Sequence, residues 1–447
     1  MSETETKKIY SSIRESLATK RYFPNISILG EFSPESQTLH IKEISAGDLR
    51  DLFAAEATVE FCRRSAILFH EFTHWADMVG TLRGRSYLRK IYECHKLLGD
   101  KRQPTDERKF FKFIDLHDES RRLMMPKYYR VLESASERHR AADKWIAELS
   151  AGREFDSLGK LDDSKPILFV RFRDKETHEL LVRQPVVAGA LWEVNAVWSE
   201  MMTNQENVAQ LPDGTAIVEE YRLKRDFEQS YFNKDLTIYS APAHLLSYFA
   251  EIECIYDTYR LSAIIAHCIL NLSTEQYKKL RLPSVMSPWR ELFRGFIRTE
   301  NPAFAYAVVC ANASVWKAGS NEYDWLDSAL AKSGLPNSAQ IFDNALAIMQ
   351  AAGPIQHSDR YDTMMSYILS LGPQLLNARR SEPHPAITPS IVTKYSLVTP
   401  GVFDEDGDIF NLGDNQFDYE KFDPMFMWEA DNKLFTWTQN FLGACRT

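Results

Sequence analysis

The sequence predicts a predominantly α-helical α+β fold. Two pairs of short segments, within 25–44 and 166–187, partly alternate apolar and polar residues with the period of two that is typical of β-hairpins. Helix-like spacing of apolar residues covers most of the remaining chain, above all 49–79 and 205–371. The 447 residues, 44% hydrophobic and 26% charged, have the composition of a globular protein with room for two or three domains.

The first elements are a hairpin and a long helix. The arms of the hairpin lie at 25–32 and 38–44, and a turn at 33–36 joins them. The helix is expected over 49–79, because Gly80 is a natural helix terminator.

A basic window, 81–150, follows the long helix. It holds 17 Lys and Arg against 11 Asp and Glu, and its pattern predicts charged amphipathic helices with a break near 99–104. The second hairpin comes next, with arms at 166–173 and 178–187 joined at 174–177.

The second half of the chain is mostly helical. A helix is expected at 190–202, and proline and glycine predict breaks in the later helical stretch at 212–214, 283–288 and 353–354. The segment 382–400 is rich in Pro, Ser and Thr and should be extended.

The last residues, 401–447, are acidic and aromatic. They carry 10 Asp and Glu against 3 Lys and Arg, and the interleaved aromatic residues indicate a segment that packs on the body of the protein. Its charge is opposite to that of 81–150, which allows the two to dock.

Charge and cysteine usage exclude several classes of protein. The net charge of −9 argues against a broad nucleic-acid-binding surface, which needs clustered Lys and Arg. The first residues lack the apolar core of a secretory signal, and the apolar runs are too short to span a bilayer. The six cysteines show no CxxC spacing. We therefore expect a cytoplasmic protein with reduced thiols that binds neither nucleic acid nor membrane.

The motif with the clearest chemistry is His70-Glu71-Phe-Thr-His74. Histidines four residues apart share one face of a helix, where both rings can bind one zinc ion. Glu71 would then accept a proton from water at the ion and return it to a leaving amine. Apart from Glu71, no charged residue or proline interrupts 67–76, as a buried helix requires. The alternative is a core helix with two hydrogen-bonded histidines.

The run 67–76 resembles the active-site helix of the zincin metallopeptidases. The metzincin pattern has glycine at position 77 and histidine at position 80, and here Asp77 and Gly80 stand there. The resemblance is therefore to the gluzincin branch, in which a glutamate on a later helix is the third zinc ligand. It also implies a zincin-like catalytic core with a small sheet, to whose edge a substrate strand adds.

The third ligand is expected in the segment 191–200. Glu193, Ala196 and Glu200 share one helix face, and their spacing resembles the third-ligand helix of gluzincins. By that resemblance Glu193 binds zinc, and Glu200 supports a ligand or contacts substrate. Rival third ligands are His95, His117 and Glu200. Because 119 residues separate His74 from Glu193, the helices of 81–150 would be an insertion.

Other residues have open roles. Asp77 could orient a histidine through its second ring nitrogen, or accept N–H groups at the surface. The pair Arg379-Arg380 is most simply solvated or salt-bridged. The residue that stabilises the oxyanion is expected among Tyr239, His244, Tyr248, Tyr256 and Tyr259.

Taken together, these features predict a zinc metallopeptidase, an endopeptidase with restricted specificity for a protein or peptide substrate. We expect a catalytic domain over 1–275, a helical region over 276–380 and an extended acidic and aromatic segment over 381–447. One sheet, built from both hairpins, would lie beside the zinc helix, with its nearest strand at 38–44 or in the second hairpin. The alternatives are a zincin-like binding or regulatory protein with little hydrolysis, and a zinc hydrolase of a non-peptide amide.

Overall fold

Helices make up most of the protein, and two small sheets lie among them. The computed structural model describes residues 29–41, 58–99, 107–124, 129–131, 136–137, 144–156, 158–351, 359–403, 409–411 and 415–444. The predicted class, a predominantly helical α+β protein, is confirmed. No helix within these ranges combines the length and the apolar character that crossing a membrane requires.

The helices and strands follow in chain order. The first half contains β1 (Gly30–Ser33), β2 (Thr38–Ile41), α1 (Val59–Gly80), α2 (Leu82–Gly99), α3 (Glu107–Met124), β3 (Tyr129–Val131), β4 (Ser136–Glu137), β5 (Trp145–Phe155), β6 (Leu161–Asp174), β7 (Leu180–Val186), α4 (Ala188–Val208) and α5 (Asp213–Tyr231). The second half contains α6 (Thr237–Ala250), α7 (Ile255–Ile269), α8 (Thr274–Tyr277), α9 (Phe293–Arg298), α10 (Pro302–Asn312), α11 (Glu322–Lys332), α12 (Ser338–Ala351), α13 (Arg360–Arg380), α14 (Pro389–Tyr395), β8 (Gly401–Phe403), β9 (Ile409–Phe410) and α15 (Pro424–Ala444).

The first sheet combines the two ends of the described chain. Its order is β1-β2-β8-β9, with β1 antiparallel to β2 and β8 parallel to β2. The first hairpin is thus confirmed where it is described, and 25–28 and 42–44 lie outside the described residues. Because Thr38 pairs with Gly401, the C-terminal segment completes the sheet that begins at Gly30.

The second sheet is separate from the first. Its order is β3-β5-β6-β7, and β4 also pairs with β5. The second hairpin is confirmed as β6–β7. The expectation of one sheet from both hairpins is wrong, because the partner of β6 is β5 and the partner of β2 is β8.

β5 corrects the helical prediction for the end of the basic window. Residues 129–131, 136–137 and 145–150 form strands, whereas α2 and α3 are helices as expected. Glu148 is buried on β5, and the guanidinium groups of Arg171 and Arg173 on β6 lie 3.1 and 3.2 Å from its carboxylate. These cross-strand charges stabilise a carboxylate whose burial no local pattern indicates.

Two long buried helices, α1 and α4, form the centre of the protein. The Thr58 hydroxyl caps α1 by accepting from the Phe61 N–H, and the predicted end at Gly80 is confirmed. Residues 49–57 lie outside the described residues. At the end of α1, a Cβ on Gly80 would lie 3.0 Å from the Leu375 Cβ, so α13 packs closely there. The predicted helix at 190–202 is α4, which extends further in both directions.

The helical second half agrees with its pattern. α5 begins directly after Pro212, and a short 3-10 helix, Ser284–Trp289, occupies the break expected at 283–288. The break at 353–354 lies outside the described residues. The extended prediction for 382–400 is wrong in part, because α14 forms there, capped by the Thr388 side chain.

The acidic C-terminal segment packs on the body of the protein, but the expectation that it is extended is wrong in part, because Pro424–Ala444 form the helix α15. α15 lies against α2 and α3, where the Trp437 ring meets the Phe113 ring edge-on at 5.1 Å between centroids. A carboxylate oxygen of Asp431 lies 3.6 Å from the His95 Nε2. Aromatic packing therefore contributes to the docking that opposite charge suggests.

Candidate metal centre

Three side chains from α1 and α4 converge on one point. His70 and His74 lie one turn apart on α1, with ring centroids 5.0 Å apart and planes at 78°. The Nε2 atoms of both rings point to the same oxygen of Glu193 on α4. The Oε2 atom of Glu193 lies 3.3 Å from the His70 Nε2 and 3.4 Å from the His74 Nε2.

Each of these two separations is close to the spacing of neighbouring ligand atoms around one zinc ion. A tetrahedral ion with bonds of about 2.0–2.1 Å holds neighbouring ligand atoms about 3.4 Å apart. The Glu193 Oε2 is also buried without a hydrogen-bond partner, although two ring nitrogens face it. Because buried polar atoms normally have partners, this oxygen is well explained by a cation that it shares with both histidines. Two imidazoles and a carboxylate are the donor set of many catalytic zinc sites.

Glu71 is the second carboxylate near the histidines. In the described part of the chain, His70, Glu71 and His74 are the one group of at least three side chains whose ligand atoms all lie within 4.8 Å of one another. By distance alone, Glu71 is thus a rival of Glu193 as third ligand. Glu193 differs from Glu71 in that one of its oxygens faces both Nε2 atoms, at 3.3 and 3.4 Å.

The surroundings of Glu71 fit a proton acceptor. Its side chain is buried against β1, and the backbone N–H of Phe32 donates a hydrogen bond to its carboxylate. A Cβ on Gly30 would lie 2.6 Å from the Glu71 Cγ, so the strand can approach only because position 30 is glycine. Burial raises the pKa of Glu71, and the neighbouring His74 and His70 offset this only in part. The strand beside Glu71 is β1, whereas the sequence favoured 38–44 or the second hairpin.

Charge interactions between the two helices are strong. Burial by itself raises the pKa of Glu193, but the charges of His74 and His70 lower it to about 2. Burial by itself lowers the pKa of His70 and of His74, but neighbouring carboxylates outweigh it and raise both values. The arrangement therefore favours an ionised carboxylate next to imidazoles that bind a cation, either a proton or a metal ion.

Glu200 lies behind His70. Its Oε2 is 3.1 Å from the His70 Nδ1, so this ring nitrogen can donate to the carboxylate while Nε2 remains free for a metal. The position matches the expectation that Glu200 supports a ligand. The Glu200 side chain is 31% exposed, and the contact is to the nitrogen that faces away from Glu193.

Asp77 has neither of the two roles that the sequence suggested. It is fully buried, and its carboxylate accepts hydrogen bonds from Asn195 on α4 and from Arg379 on α13. Of the two alternatives for Arg379, solvated or salt-bridged, the salt bridge is confirmed, with both side chains fully buried. Sequence reasoning missed Asn195, and no local signal connects Arg379 with the motif.

Of the five residues predicted as candidates for stabilising the oxyanion, Tyr239 lies beside His70. The ring of Tyr239, on α6, lies 6.1 Å from the His70 ring at 52°. The charge of Glu193, together with burial and the charges of Glu71 and Glu200, raises the pKa of Tyr239 above its ordinary value. Its phenol therefore stays protonated and can donate at the site.

The described hydrogen bonds and ring contacts of the other four candidates are with residues other than the two histidines of the motif. The His244 Nε2 donates to the Tyr231 carbonyl at 2.8 Å, and the Tyr259 hydroxyl lies 3.4 Å from the Tyr239 carbonyl. Tyr248 and Tyr256 pack edge-on against Phe249 and Trp198. Of the rival metal ligands, His95 faces Asp431 on α15, and His117 lies on α3.

Comparison with protein-family models, with curated proteins and with solved structures finds no match to this chain. The assignment of a function therefore depends on the geometry of the site.

Proposed function

We propose that the protein is a zinc-dependent metallopeptidase, with His70, His74 and Glu193 as metal ligands and Glu71 as general base. The observation that carries this proposal is the approach of two Nε2 atoms to one buried Glu193 oxygen, at 3.3 and 3.4 Å. When bound, zinc would polarise the scissile carbonyl and make water more acidic. Action in the cytoplasm is part of this proposal, and the described cysteines, none of which is in a disulfide, are compatible with it.

Glu71 would carry the proton in the reaction. Its raised pKa makes its carboxylate a better base than an exposed glutamate, and the Phe32 N–H holds it in place. The carboxylate accepts a proton from the attacking water and then delivers it to the leaving amine. Intact Glu71 favours an enzyme over a binding protein, since metal binding alone needs no base.

Tyr239 would stabilise the negative charge that develops on the substrate carbonyl oxygen. Its phenol is protonated and lies beside the metal ligand His70, where a hydrogen bond to the oxyanion can form. Glu200 holds the His70 ring through Nδ1 and so fixes which nitrogen faces the metal.

β1 supports a peptide as the substrate. It is an edge strand, with β2 on one side in the described sheet, and it lies directly against Glu71. An extended peptide can add to such an edge through main-chain hydrogen bonds, which place its backbone beside the general base. This feature favours peptide bonds over non-peptide amides. The large share of the chain outside the site supports restricted specificity.

The test compares the wild-type protein with Glu71→Gln, and with Glu60→Gln as a control on the same helix. The Glu60 side chain is 59% exposed and pairs only with Arg64 among the contacts described. We expect about one zinc per chain in all three proteins by metal analysis. In cells, we expect new protein termini with the wild type and Glu60→Gln but not with Glu71→Gln.

Two results would contradict the proposal. Absence of zinc, together with no uptake by the metal-free protein, would eliminate the metal centre. Zinc in all three proteins with identical termini would show a binding protein without hydrolysis.

A further inference from the structure

We propose that Asp77, Asn195 and Arg379 form a buried clamp that positions the metal ligands. Arg379 acts as a positioning residue through Asp77, although it contacts none of the ligands in the described interactions. The inference rests on the proposed zinc site and adds to it a requirement from the C-terminal half of the chain.

The clamp centres on the Asp77 carboxylate. Its Oδ1 accepts from the Arg379 Nη1 at 2.5 Å and from the Asn195 Nδ2 at 3.1 Å, and its Oδ2 accepts from the same Asn195 nitrogen at 2.9 Å. The Arg379 Nε donates to the Pro385 carbonyl at 2.8 Å. The exposed fractions of Asp77, Asn195 and Arg379 are 0%, 1% and 0%, so water does not compete for these bonds.

The clamp lies next to the ligands along both helices. Asp77 follows His74 by three residues on α1, and Asn195 follows Glu193 by two residues on α4. A hydrogen bond between Asp77 and Asn195 therefore ties the two ligand-bearing helices together less than one turn from the ligands. Metal sites tolerate displacements of only about 0.5 Å, so the separation of α1 and α4 must be held closely.

Arg379 anchors this contact to a third helix. It lies near the end of α13, and Leu375, one turn earlier, packs against Gly80 at the end of α1. The segment after α13 also reaches α4, since the Ile387 N–H donates to the Ser199 hydroxyl at 3.0 Å. α13 and the segment after it thus hold both ligand helices from one side.

Stability alone does not explain the buried charges. Removing two charges from water has a large desolvation penalty, and well-packed apolar residues are often at least as stabilising as a buried pair. The Arg379 Nη2 and the Asn195 Oδ1 also lack hydrogen-bond partners in the described contacts, which lowers the net stabilisation. A directional contact that sets the register of two helices accounts for the charges better.

The test measures zinc affinity by chelator competition on the purified full chain, at a temperature where every variant is folded. Arg379→Met removes one charge, and Arg379→Lys keeps it. The triple variant Asp77→Leu, Asn195→Leu and Arg379→Met replaces the whole clamp by apolar side chains. Arg380→Met is the control, because Arg380 pairs with Asp343 at the exposed surface.

We expect Arg379→Met to lower zinc affinity by about tenfold to a hundredfold, as outer contacts of metal sites typically do. Arg379→Lys should lose less, and Arg380→Met nothing. The triple variant should regain the thermal midpoint that Arg379→Met loses, yet keep the weak zinc binding. If the salt bridge were purely structural, the zinc affinity of the triple variant would recover together with its thermal midpoint.

Wild-type affinity in Arg379→Met, or in the triple variant once its stability is restored, would overturn the clamp. Should Arg379→Met not fold, the triple variant decides alone: wild-type zinc affinity in that variant overturns the clamp. Failure of the wild-type chain to bind zinc would instead refute the proposed function, so the two failures are distinguishable.

Discussion

Replacing Glu193 by glutamine should remove most of the zinc affinity, whereas Glu200→Gln should reduce it only moderately. The two glutamates lie on the same helix, seven residues apart, and both contact His70. Glu193 meets the Nε2 atoms of both histidines, while Glu200 meets the outer Nδ1 of one. The comparison therefore separates a metal ligand from a residue that orients a ligand.

The expected magnitudes follow from these contacts. Loss of a carboxylate that orients a histidine weakens metal binding by about tenfold to a hundredfold, or about 1.4–2.7 kcal/mol. Loss of Glu193 should exceed a hundredfold, because one of three protein ligands and its charge disappear together.

Glu193→Gln should also destabilise the metal-free protein. The pKa of Glu193, about 2 against an ordinary value of 4.5, corresponds to about 3 kcal/mol of favourable interaction in the folded state. Because this pKa is lowered on folding, the stabilisation is present above the ordinary pKa and disappears as the pH falls towards 2. At neutral pH Glu193 is ionised and can make this interaction, whereas a neutral glutamine cannot.

The assay is competition with a chelator near neutral pH, at a temperature where near-ultraviolet circular dichroism shows that all proteins are folded. Affinity of Glu193→Gln within tenfold of the wild type would refute its role as a ligand. A larger loss in Glu200→Gln than in Glu193→Gln would assign the ligand to Glu200 instead.

Two further predictions follow from the site. Zinc affinity should rise with pH. Glu193 and Glu200 raise the pKa of His70, and Glu193 raises the pKa of His74. Zinc must therefore displace a proton from each ring before it binds. Titrations upwards from the ordinary imidazole value of 6.5 should show a steep increase in zinc affinity, and a flat profile would contradict the assignment of both histidines. Tyr239→Phe should lower kcat by about a hundredfold to a thousandfold with unchanged zinc content, as expected for loss of an oxyanion donor. A change in KM alone would show that Tyr239 only contacts substrate.

Much of the fold follows from local patterns. Period-two alternation located both hairpins, and apolar spacing with a terminal glycine located α1 and its end. The strand β5 did not follow, because its buried Glu148 is stabilised by arginines more than 20 residues later in the chain. The parallel pairing of β2 with β8 joins residues more than 360 positions apart, and no local pattern indicates it.

The sequence by itself determined the local part of the site. Once a helix forms, its 3.6-residue turn places His70 and His74 on one face with Glu71 beside them, whatever surrounds that helix. The helix of Glu193 and Glu200 was predictable for the same reason.

Only the tertiary structure decided how these pieces meet. The packing of α1 on α4 brings Glu193 within 3.4 Å of both Nε2 atoms, although Glu193 lies 119 positions after His74. The same packing turns Asp77 away from the roles that its position suggested and towards Arg379, 302 positions later. The physical reason is that helix periodicity extends over a few turns, whereas the distance between two helices depends on every side chain buried between them.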